Sequence, residues 1–364
     1  MIHADRLLEN FLTILRIDSY YPNEDPVADS LRPELDRLGV QLSVDEHRNV
    51  LGYWPGAGVL QDREPILLCA HMDTVQPTPN MEPVIRDGTV HSDGSSVLGA
   101  DDKAAVAAIM EGLSSVADSG VPHHPVEVLF TVGEDVGHIG SKAFDVTPVR
   151  SKMAFVPDAD GPVGGIMLAA PWSQGKRVVF HGRAAHAGME PENGRSAISM
   201  ASRAIDQMQL GRIDEETTAN VGIVTGGEAI NIIPPEAELS FNIRSLEQSK
   251  YESVSTEILD RCQQAAEAFG GHMEVHQINR ITGFRFAPDA SIIQYAEDAM
   301  KAAGIKPWTA VTCGGSDANE LNAKGLPTVV ISVGYLDIHS NKESMPIDEL
   351  NRLAEVCAAL ILVE

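Results

Sequence analysis

Histidines and carboxylates follow the ends of four short apolar segments of the chain. In chain order they are His71 and Asp73, Glu134 and Asp135, Asp158 and Asp160, and His339. Two further carboxylates, Asp101 and Asp102, stand in the stretch LGADDK. Each of these groups is costly to bury unless something pairs with it. Imidazoles and carboxylates without a thiolate suit Zn²⁺, Mn²⁺ or Co²⁺ better than Cu(I) or an iron–sulfur cluster.

The number of these side chains exceeds what one tetrahedral zinc ion takes. Two ions bridged by one carboxylate and one water would use the whole set. Paired ions roughly 3.5–4 Å apart can activate water and stabilise a developing oxyanion. The residue types therefore predict a two-metal centre that activates water.

Each residue has a simpler interpretation when it is taken alone. A histidine after a strand is commonly a surface or capping residue, Glu134–Asp135 would be a solvated loop, and the aspartates of PDADGP would lie in a turn. Asp101 and Asp102 would be a helix N-cap with favourable dipole charge, and for Asp102 this interpretation is kept. The same chemistry at four strand ends favours the metal centre for the others.

The elements that must position these residues are short and apolar. Length and β-branched content predict buried strands over Ile66–Ala70, Val126–Val132, Met153–Pro157 and Thr328–Val333. The stretch DDKAAVAAIMEGLSSVADSG predicts an Ala-rich helix that stops at Gly120. Strands that alternate with helices predict an α/β fold with a mainly parallel sheet flanked by helices. Ligand sites of such sheets lie outside the carboxyl ends of the strands, where these side chains would meet.

The middle of the chain has a different pattern. Residues 173–281 predict a strand, a helix, two strands, a helix and a last strand, which is the order of a ferredoxin-like α+β domain. We expect this domain to be inserted into a metal-binding domain. The two parts of the metal-binding domain would be residues 1–172 and 282–364.

Composition limits the partners and the location. The net charge of the 364 residues is −25, which argues against nucleic-acid or anionic-membrane binding because both need a basic patch. The four cysteines lie far apart and form no CxxC motif, so a disulfide scaffold or a thiolate zinc site is not expected. No apolar run reaches transmembrane length and no signal peptide is evident. We therefore expect a cytoplasmic protein.

Several motifs together resemble one superfamily. HMDTV, GADDK, GED and the HS..E pattern from His339 to Glu343 are similar to those of the two-metal peptidase superfamily, which includes peptidase T, aminoacylase, acetylornithine deacetylase and succinyl-diaminopimelate desuccinylase. The stretches LGADDKAA, FTVGEDVG and PDADGPVG most resemble peptidase T. The resemblance covers nearly the whole chain. It implies a zinc-exopeptidase-like fold whose inserted domain acts as a lid or in dimerisation.

The resemblance also implies roles in the metal centre. The metal ligands would be His71 and Asp158 for one ion, Asp135 and His339 for the other, and Asp101 for both. Asp73 would orient His71 through the other ring nitrogen, and Glu134 would be the general base. The two divalent ions are expected to be zinc, with cobalt or manganese as alternatives.

Further residues would contact the substrate by the same resemblance. His186, in GRAAHAG, would donate to the oxyanion from the partner subunit of a homodimer. Asn231 and Arg244 would contact the substrate, Arg244 through a carboxylate. The Gly-rich backbone at Gly315 and Ser316 would approach it closely. From the residues alone, a capping histidine, a turn asparagine, a surface ion pair and an ordinary turn stay open as alternatives.

Three functions stay open at the level of sequence. The favoured one is a peptidase T-like aminopeptidase that acts on short peptides such as tripeptides. Deacylation of N-acyl amino acids, or carboxypeptidase action, would use the same metal centre. A non-catalytic metal-binding scaffold on this fold is the third, and the intact Glu134 argues against it.

Overall fold

Residues 2–363 are described by a computed structural model, in which the chain forms two units. Met1–Ala169 and Arg285–Glu364 make up the first unit, and Ala170–Phe284 makes up the second. The second unit begins at 170 where 173 was predicted, and ends at 284 where 281 was predicted.

The described residues contain both helices and strands throughout. The helices are α1 (Ala4–Leu15), α2 (Asp25–Leu38), α3 (Ala100–Ser119), α4 (Ile139–Ala143), α5 (Ala197–Asp206), α6 (Gln248–Ala268), α7 (Ser291–Ala302), α8 (Asp317–Ala323) and α9 (Ile347–Leu362). The strands are β1 (Gln41–Val44), β2 (Val50–Trp54), β3 (Ile66–His71), β4 (Val84–Arg86), β5 (Thr89–His91), β6 (Val126–Thr131), β7 (Ala154–Ala159), β8 (Gly165–Ala170), β9 (Trp172–His181), β10 (Gly211–Asp214), β11 (Thr217–Gly226), β12 (Glu236–Ser245), β13 (His272–Ile281), β14 (Phe284–Arg285), β15 (Trp308–Val311), β16 (Thr328–Ser332) and β17 (Ser344–Pro346). Within residues 2–363, no helix has the length and apolar character that crossing a membrane requires.

The large sheet brings the four predicted site strands together. Its order is β1-β2-β6-β3-β7-β16-β8-β14, with β15 paired to β8. β6, β3, β7 and β16 are neighbours and run parallel to one another. Nearly all of their residues are buried, as is typical of parallel strands that are covered on both faces. The predicted mainly parallel α/β fold is confirmed, and four carboxyl ends lie side by side.

Two of these strands extend further than predicted. β3 includes His71, whose Cα is paired with that of Thr131 in β6. β7 includes Asp158, because pairing with β16 resumes at Ala159 after a bulge. The prediction that both residues follow their strands is therefore wrong: β3 ends one residue later than predicted and β7 two residues later, since pairing with the neighbouring strand continues past the apolar segment.

The Ala-rich helix α3 lies in the middle of the first unit. It is buried from Ala100 through Val116 and packs against α1, α2 and α9. Small side chains allow neighbouring elements to approach a helix closely. The helix ends at Gly120, whose φ of 64° is a left-handed conformation that glycine adopts without strain. The predicted helix and its stop are confirmed.

The second unit is an antiparallel sheet with two helices on one face. The strand order is β10-β11-β12-β9-β13, and β9, α5, β11, β12, α6 and β13 follow one another as predicted. Val178, Phe180 and Leu239 of the sheet pack with Met200 and Ile258 of the helices. The ferredoxin-like prediction is confirmed. The short strand β10 was not predicted, because its half-exposed residues carry no apolar alternation.

Candidate metal centre

Asp101 lies between two histidines at the carboxyl edge of the large sheet. Its Oδ1 is 3.2 Å from Nε2 of His71, and its Oδ2 is 3.0 Å from Nε2 of His339. The three side chains come from the start of α3, from the end of β3 and from the loop after β16. One carboxylate therefore faces two imidazoles with one oxygen each, which is the arrangement that a bridging metal ligand needs.

Asp135 and Asp158 extend this cluster. Oδ1 of Asp135 is 3.2 Å from Nε2 of His339. Asp101, Asp135 and His339 each offer a possible ligand atom, and these atoms lie within 4.8 Å of one another. Asp158 and His71 also offer possible ligand atoms that lie within 4.8 Å of each other. The structure thus brings together the five residues that were predicted as metal ligands.

Asp102 does not cap α3 as predicted. Its backbone is non-helical (φ −117°, ψ 24°), and neither of its carboxylate oxygens has a hydrogen-bond partner among residues 2–363. The prediction is wrong because the regular helix begins after Asp101 and Asp102, and the buried carboxylate of Asp102 does not reach the free N–H groups of the first turn. One of its oxygens lies instead in the same group of possible ligand atoms as His71 and Asp158.

The pKa values in the cluster reflect crowded negative charge. Burial raises the pKa of both Asp102 and Asp158 well above the usual range, and the neighbouring Asp101 carboxylate raises them further. Burial would also raise the pKa of Asp101, but hydrogen bonds with His339 and His71 hold it well below its usual range. The side chains are therefore arranged around a place where positive charge would be stabilised.

Several buried oxygens in the cluster support the fit to metal ions. Both carboxylate oxygens of Asp102 and Oδ2 of Asp135 have no hydrogen-bond partner among residues 2–363. Such oxygens are costly to bury unless a cation or a donor compensates them. Among residues 2–363, the groups of possible ligand atoms at this centre contain two imidazoles and several carboxylates but no cysteine, and this donor set fits divalent ions such as zinc.

Asp73 connects β3 with the loop that carries Glu134 and Asp135. Its Oδ1 lies 3.2 Å from Nδ1 of His71, the ring nitrogen that faces away from Asp101. The same carboxylate accepts hydrogen bonds from the backbone N–H groups of Glu134, at 2.9 Å, and Asp135, at 3.1 Å. Asp73 therefore fixes the orientation of one histidine and the path of the loop together.

Glu343 binds the backbone at the start of α3. Its carboxylate accepts hydrogen bonds from the backbone N–H groups of Gly99, at 2.9 Å, and Asp101, at 3.0 Å. Glu343 belongs to the HS..E pattern, which predicts no role for it. Its position four residues after His339 was the available signal.

Glu134 is buried beside the cluster. Its Oε2 lies 4.0 Å from Nε2 of His71, and its Oε1 lies 3.2 Å from Nε2 of His138. Burial raises the pKa of Glu134, and the hydrogen bond from His138 opposes that rise. His138 was not predicted as a site residue, because one histidine in a loop gives no signal by its spacing.

A cavity of 240 Å³ opens onto these side chains. Gly315 and Ser316 line it, and their contact with a substrate stays a prediction. Asp160 and Tyr335 also line it, and the Tyr335 hydroxyl donates to Oδ1 of Asp158 at 3.3 Å. Among the described residues, the lining includes five carboxylates and no lysine or arginine.

The three remaining predicted residues belong to the second unit. Nδ1 of His186 accepts from the backbone N–H groups of Gly188 and Met189, both at 3.2 Å. Ala187 N–H donates to the Asn231 carbonyl at 3.0 Å, which brings His186 and Asn231 together. Arg244 lies on β12, exposed, with its Nε 3.4 Å from Oδ1 of Asn242.

Comparison with known proteins gives matches over the whole chain. Residues 173–269 match the peptidase dimerisation domain, and residues 49–176 match peptidase family M28. The uncharacterized protein YqjE of Bacillus subtilis (strain 168) is 38% identical, over 99% of both chains.

Two solved structures are similar at the level of fold and sequence. The aminopeptidase PepT from Bacillus cereus ATCC 10987 has a TM-score of 0.94 and 35% identity, and the match covers 99% of this chain and 98% of that one. A tripeptidase from Staphylococcus aureus subsp. aureus Mu50 has a TM-score of 0.92 and 33% identity, with the same coverage. The chain thus has the fold of a peptide hydrolase from end to end, and it belongs to the peptidase T-like group of the two-metal peptidase superfamily.

Proposed function

We propose that this chain is a two-metal aminopeptidase that removes the N-terminal residue of short peptides, with tripeptides preferred. The observation that carries the proposal is the position of Asp101, which faces His71 at 3.2 Å and His339 at 3.0 Å with one oxygen each. Buried carboxylate oxygens around it have no partner among the described residues.

The ligand assignment is the one that the family resemblance implies, and it is supported by the proximity of Asp158 to His71 and of Asp101 and Asp135 to His339. His71 and Asp158 would hold one ion, Asp135 and His339 the other, and Asp101 both. When bound, two divalent ions would lower the pKa of a water and polarise the scissile carbonyl. Zinc is proposed as the native metal, with cobalt or manganese as alternatives.

Glu134 is proposed as the general base. It is buried beside the cluster, and only its Oε1 is engaged by His138. Its carboxylate would take a proton from the attacking water and pass it to the leaving nitrogen, so that the amide breaks without a free amide anion. Asp73 would hold His71 and the loop that carries Glu134 in place during these proton transfers.

The substrate proposal rests on charge and on the named relatives. A cavity lined by carboxylates without a lysine or arginine suits the free α-ammonium group of a peptide. Arg244 and Asn231 are proposed to bind the other end of the substrate, Arg244 through its carboxylate. The solved relatives are called an aminopeptidase and a tripeptidase, which supports the same substrate class.

We propose a homodimer in which His186 serves the site of the partner subunit. The match of residues 173–269 to a peptidase dimerisation domain supports the dimer. An imidazole N–H would stabilise the oxyanion that forms on the scissile carbonyl. Whether the second unit also closes over the substrate stays a prediction.

A substrate panel tests the reaction. The full chain is loaded in turn with zinc, manganese and cobalt, and assayed on free tripeptides, N-acetyl amino acids and N-blocked dipeptides. We expect cleavage of the tripeptides from the N-terminus. Cleavage of N-blocked substrates alone would instead identify a deacylase or a carboxypeptidase.

Replacement of Glu134 by Gln separates an enzyme from a metal-binding scaffold. The variant keeps the side-chain volume and both metal ions but loses the base, so kcat should fall by about 10³-fold. Metal content per chain, measured by mass spectrometry, should not change. Unchanged turnover would remove Glu134 from the mechanism.

A further inference from the structure

His138 lies between two carboxylates at the edge of the candidate centre. Its Nε2 is 3.2 Å from Oε1 of Glu134, and its Nδ1 is 3.2 Å from Oε1 of Glu320. The His138 side chain is 7% exposed. Both ring nitrogens are therefore committed to protein partners, and neither is turned to solvent.

The charge of the imidazole follows from this arrangement. Burial lowers the pKa of His138, but the hydrogen bonds with Glu134 and Glu320 outweigh that effect and raise it to about 10. A protonated imidazole has an N–H on each nitrogen, so His138 donates to both carboxylates at once. Hydrogen bonds in which the donor and the acceptor are charged are stronger than those between neutral groups.

The backbone at His138 is held in an unusual conformation. Its φ is 58°, in the left-handed region that residues other than glycine adopt rarely. Its backbone N–H donates to the carbonyl of Glu134 at 2.7 Å. The tight turn from Glu134 to His138 is what brings the imidazole back over the carboxylate, and strain of this kind persists where surrounding contacts enforce it.

Glu320 ties the imidazole to a second part of the site. It lies in α8, whose N-cap Ser316 lines the cavity together with Gly315. The Ser316 side chain accepts from the backbone of Asn319, and Asn319 in turn accepts from the backbone N–H of Ser316 at 3.0 Å. The helix that carries Glu320 thus has a fixed start at the cavity wall.

We propose that His138 is a positioning residue that holds the Glu134 carboxylate in the orientation for proton transfer. It engages Oε1, which leaves Oε2 on the side of His71, at 4.0 Å, to exchange the proton. This inference rests on the proposed role of Glu134 as general base. Without the contact, the carboxylate could rotate about its last bond and meet the reacting water less often in a productive geometry.

Two amide variants separate the two contacts of His138. In His138→Gln, the side-chain N–H₂ can reach the place of Nε2 and donate to Glu134. In His138→Asn, the shorter side chain replaces Nδ1 and can donate only to Glu320. Both variants are polar and fit the buried volume, so they differ in the contact to the base rather than in polarity.

We expect the zinc-loaded variants to differ in kcat on a free tripeptide. His138→Asn should lower kcat by about 10- to 100-fold with KM within about twofold, because binding is kept and the base is misplaced. His138→Gln should regain most of that loss and stay within about fivefold of the wild type. Zinc content should be the same in all three proteins.

His123 provides a matched control. It is also a buried histidine of the first unit, stacked on Trp54 with ring centroids 3.9 Å apart, and it is not part of the centre. His123→Asn should lower the melting temperature with little change in kcat. If His138 had a purely structural role, His138→Asn would likewise lower the melting temperature with little change in kcat.

Specific outcomes overturn the proposal. Equal kcat in His138→Asn and the wild type, equal losses in the Asn and Gln variants, or a loss of zinc that accounts for the lost activity would each do so. A wild type that cleaves none of the peptide or acyl substrates would overturn the proposed function itself. Activity in the wild type with full activity in His138→Asn would overturn the positioning role alone.

Discussion

Two regions of the molecule hold their polar side chains in opposite ways. One is the cluster around Asp101 in the first unit, and the other is the His186 loop, residues 182–196, in the second unit. The cluster is buried and built from side-chain contacts, such as those of Asp101 with His71 and His339. His186 is held mainly through backbone groups of Gly188 and Met189. Around it lie exposed apolar side chains, among them Met189, 79% exposed, and Ile230, fully exposed.

This difference indicates what each region lacks. The cluster lacks positive charge, since its buried oxygens have no partner among residues 2–363, and metal ions would supply it. The His186 loop has its hydrogen bonds but leaves apolar surface in water, which a protein partner would cover. In the proposed function, metal ions would complete the first region and a second copy of the chain would complete the other.

Replacement of Asp101 by Ala should have the largest effect on the cluster. The variant removes the carboxylate whose two oxygens face Nε2 of His71 and Nε2 of His339, so we expect both ions to be lost or weakly held and activity to become undetectable. The dimer should persist, because Asp101 belongs to the first unit. Metal content by mass spectrometry and molar mass by light scattering measure the two effects separately.

Asp93→Ala is the matched control, since Asp93 is an exposed carboxylate that accepts a backbone hydrogen bond from Ser95 at 2.8 Å outside the cluster. It should leave metal content and activity unchanged. Two firmly bound ions per chain in Asp101→Ala would contradict the bridging role.

Most of the fold could be predicted from sequence because the pattern of each unit is strong. Continuous apolar segments such as β3 and β6 predict buried parallel strands, and the order of elements in the second unit predicts its topology. The strand ends were predicted less well, because backbone pairing does not stop where apolar residues stop. His71 and Asp158 illustrate this, and β10 was missed because its residues are half exposed.

The candidate site could be predicted where residue type and spacing carry the signal. The five ligand candidates lie together in the structure, although their roles stay predictions. The prediction for Asp102 is wrong because a carboxylate at the start of a helix is usually a cap, whereas here the backbone is non-helical at Asp101 and Asp102, before the regular helix begins. His138 and Glu343 act through contacts between distant segments, and sequence spacing does not show such contacts.

A mixture of two inactive variants tests whether His186 acts in the site of the partner subunit. His186→Gln should lower kcat by about 10²- to 10³-fold through loss of an oxyanion donor, with metal content unchanged. Glu134→Gln should be inactive for a different reason. If His186 acts across the dimer, each mixed dimer has one site with an intact base and an intact partner histidine.

Random exchange of subunits should therefore restore about one quarter of wild-type activity, since half of the dimers are mixed and half of their sites are intact. Each variant mixed with itself is the control. Absence of any recovery, in a sample shown by native mass spectrometry to contain mixed dimers, would mean that His186 acts within its own subunit or not at all.

Asp73→Asn should have the smallest effect, and it tests how firmly the cluster is held before ions bind. An amide has one acceptor oxygen, so it cannot accept from the N–H groups of Glu134 and Asp135 through two oxygens as the carboxylate does. We expect zinc affinity to fall by about 10- to 100-fold, and kcat/KM to fall with it at limiting zinc. Excess zinc should restore most of the activity, because the ligands themselves remain.

Asp145→Asn is the matched control, since Asp145 also accepts a backbone hydrogen bond, from Thr147 at 2.9 Å, but on an exposed turn. An activity loss in Asp73→Asn that excess zinc does not restore would show that Asp73 places Glu134 rather than the metal ligands.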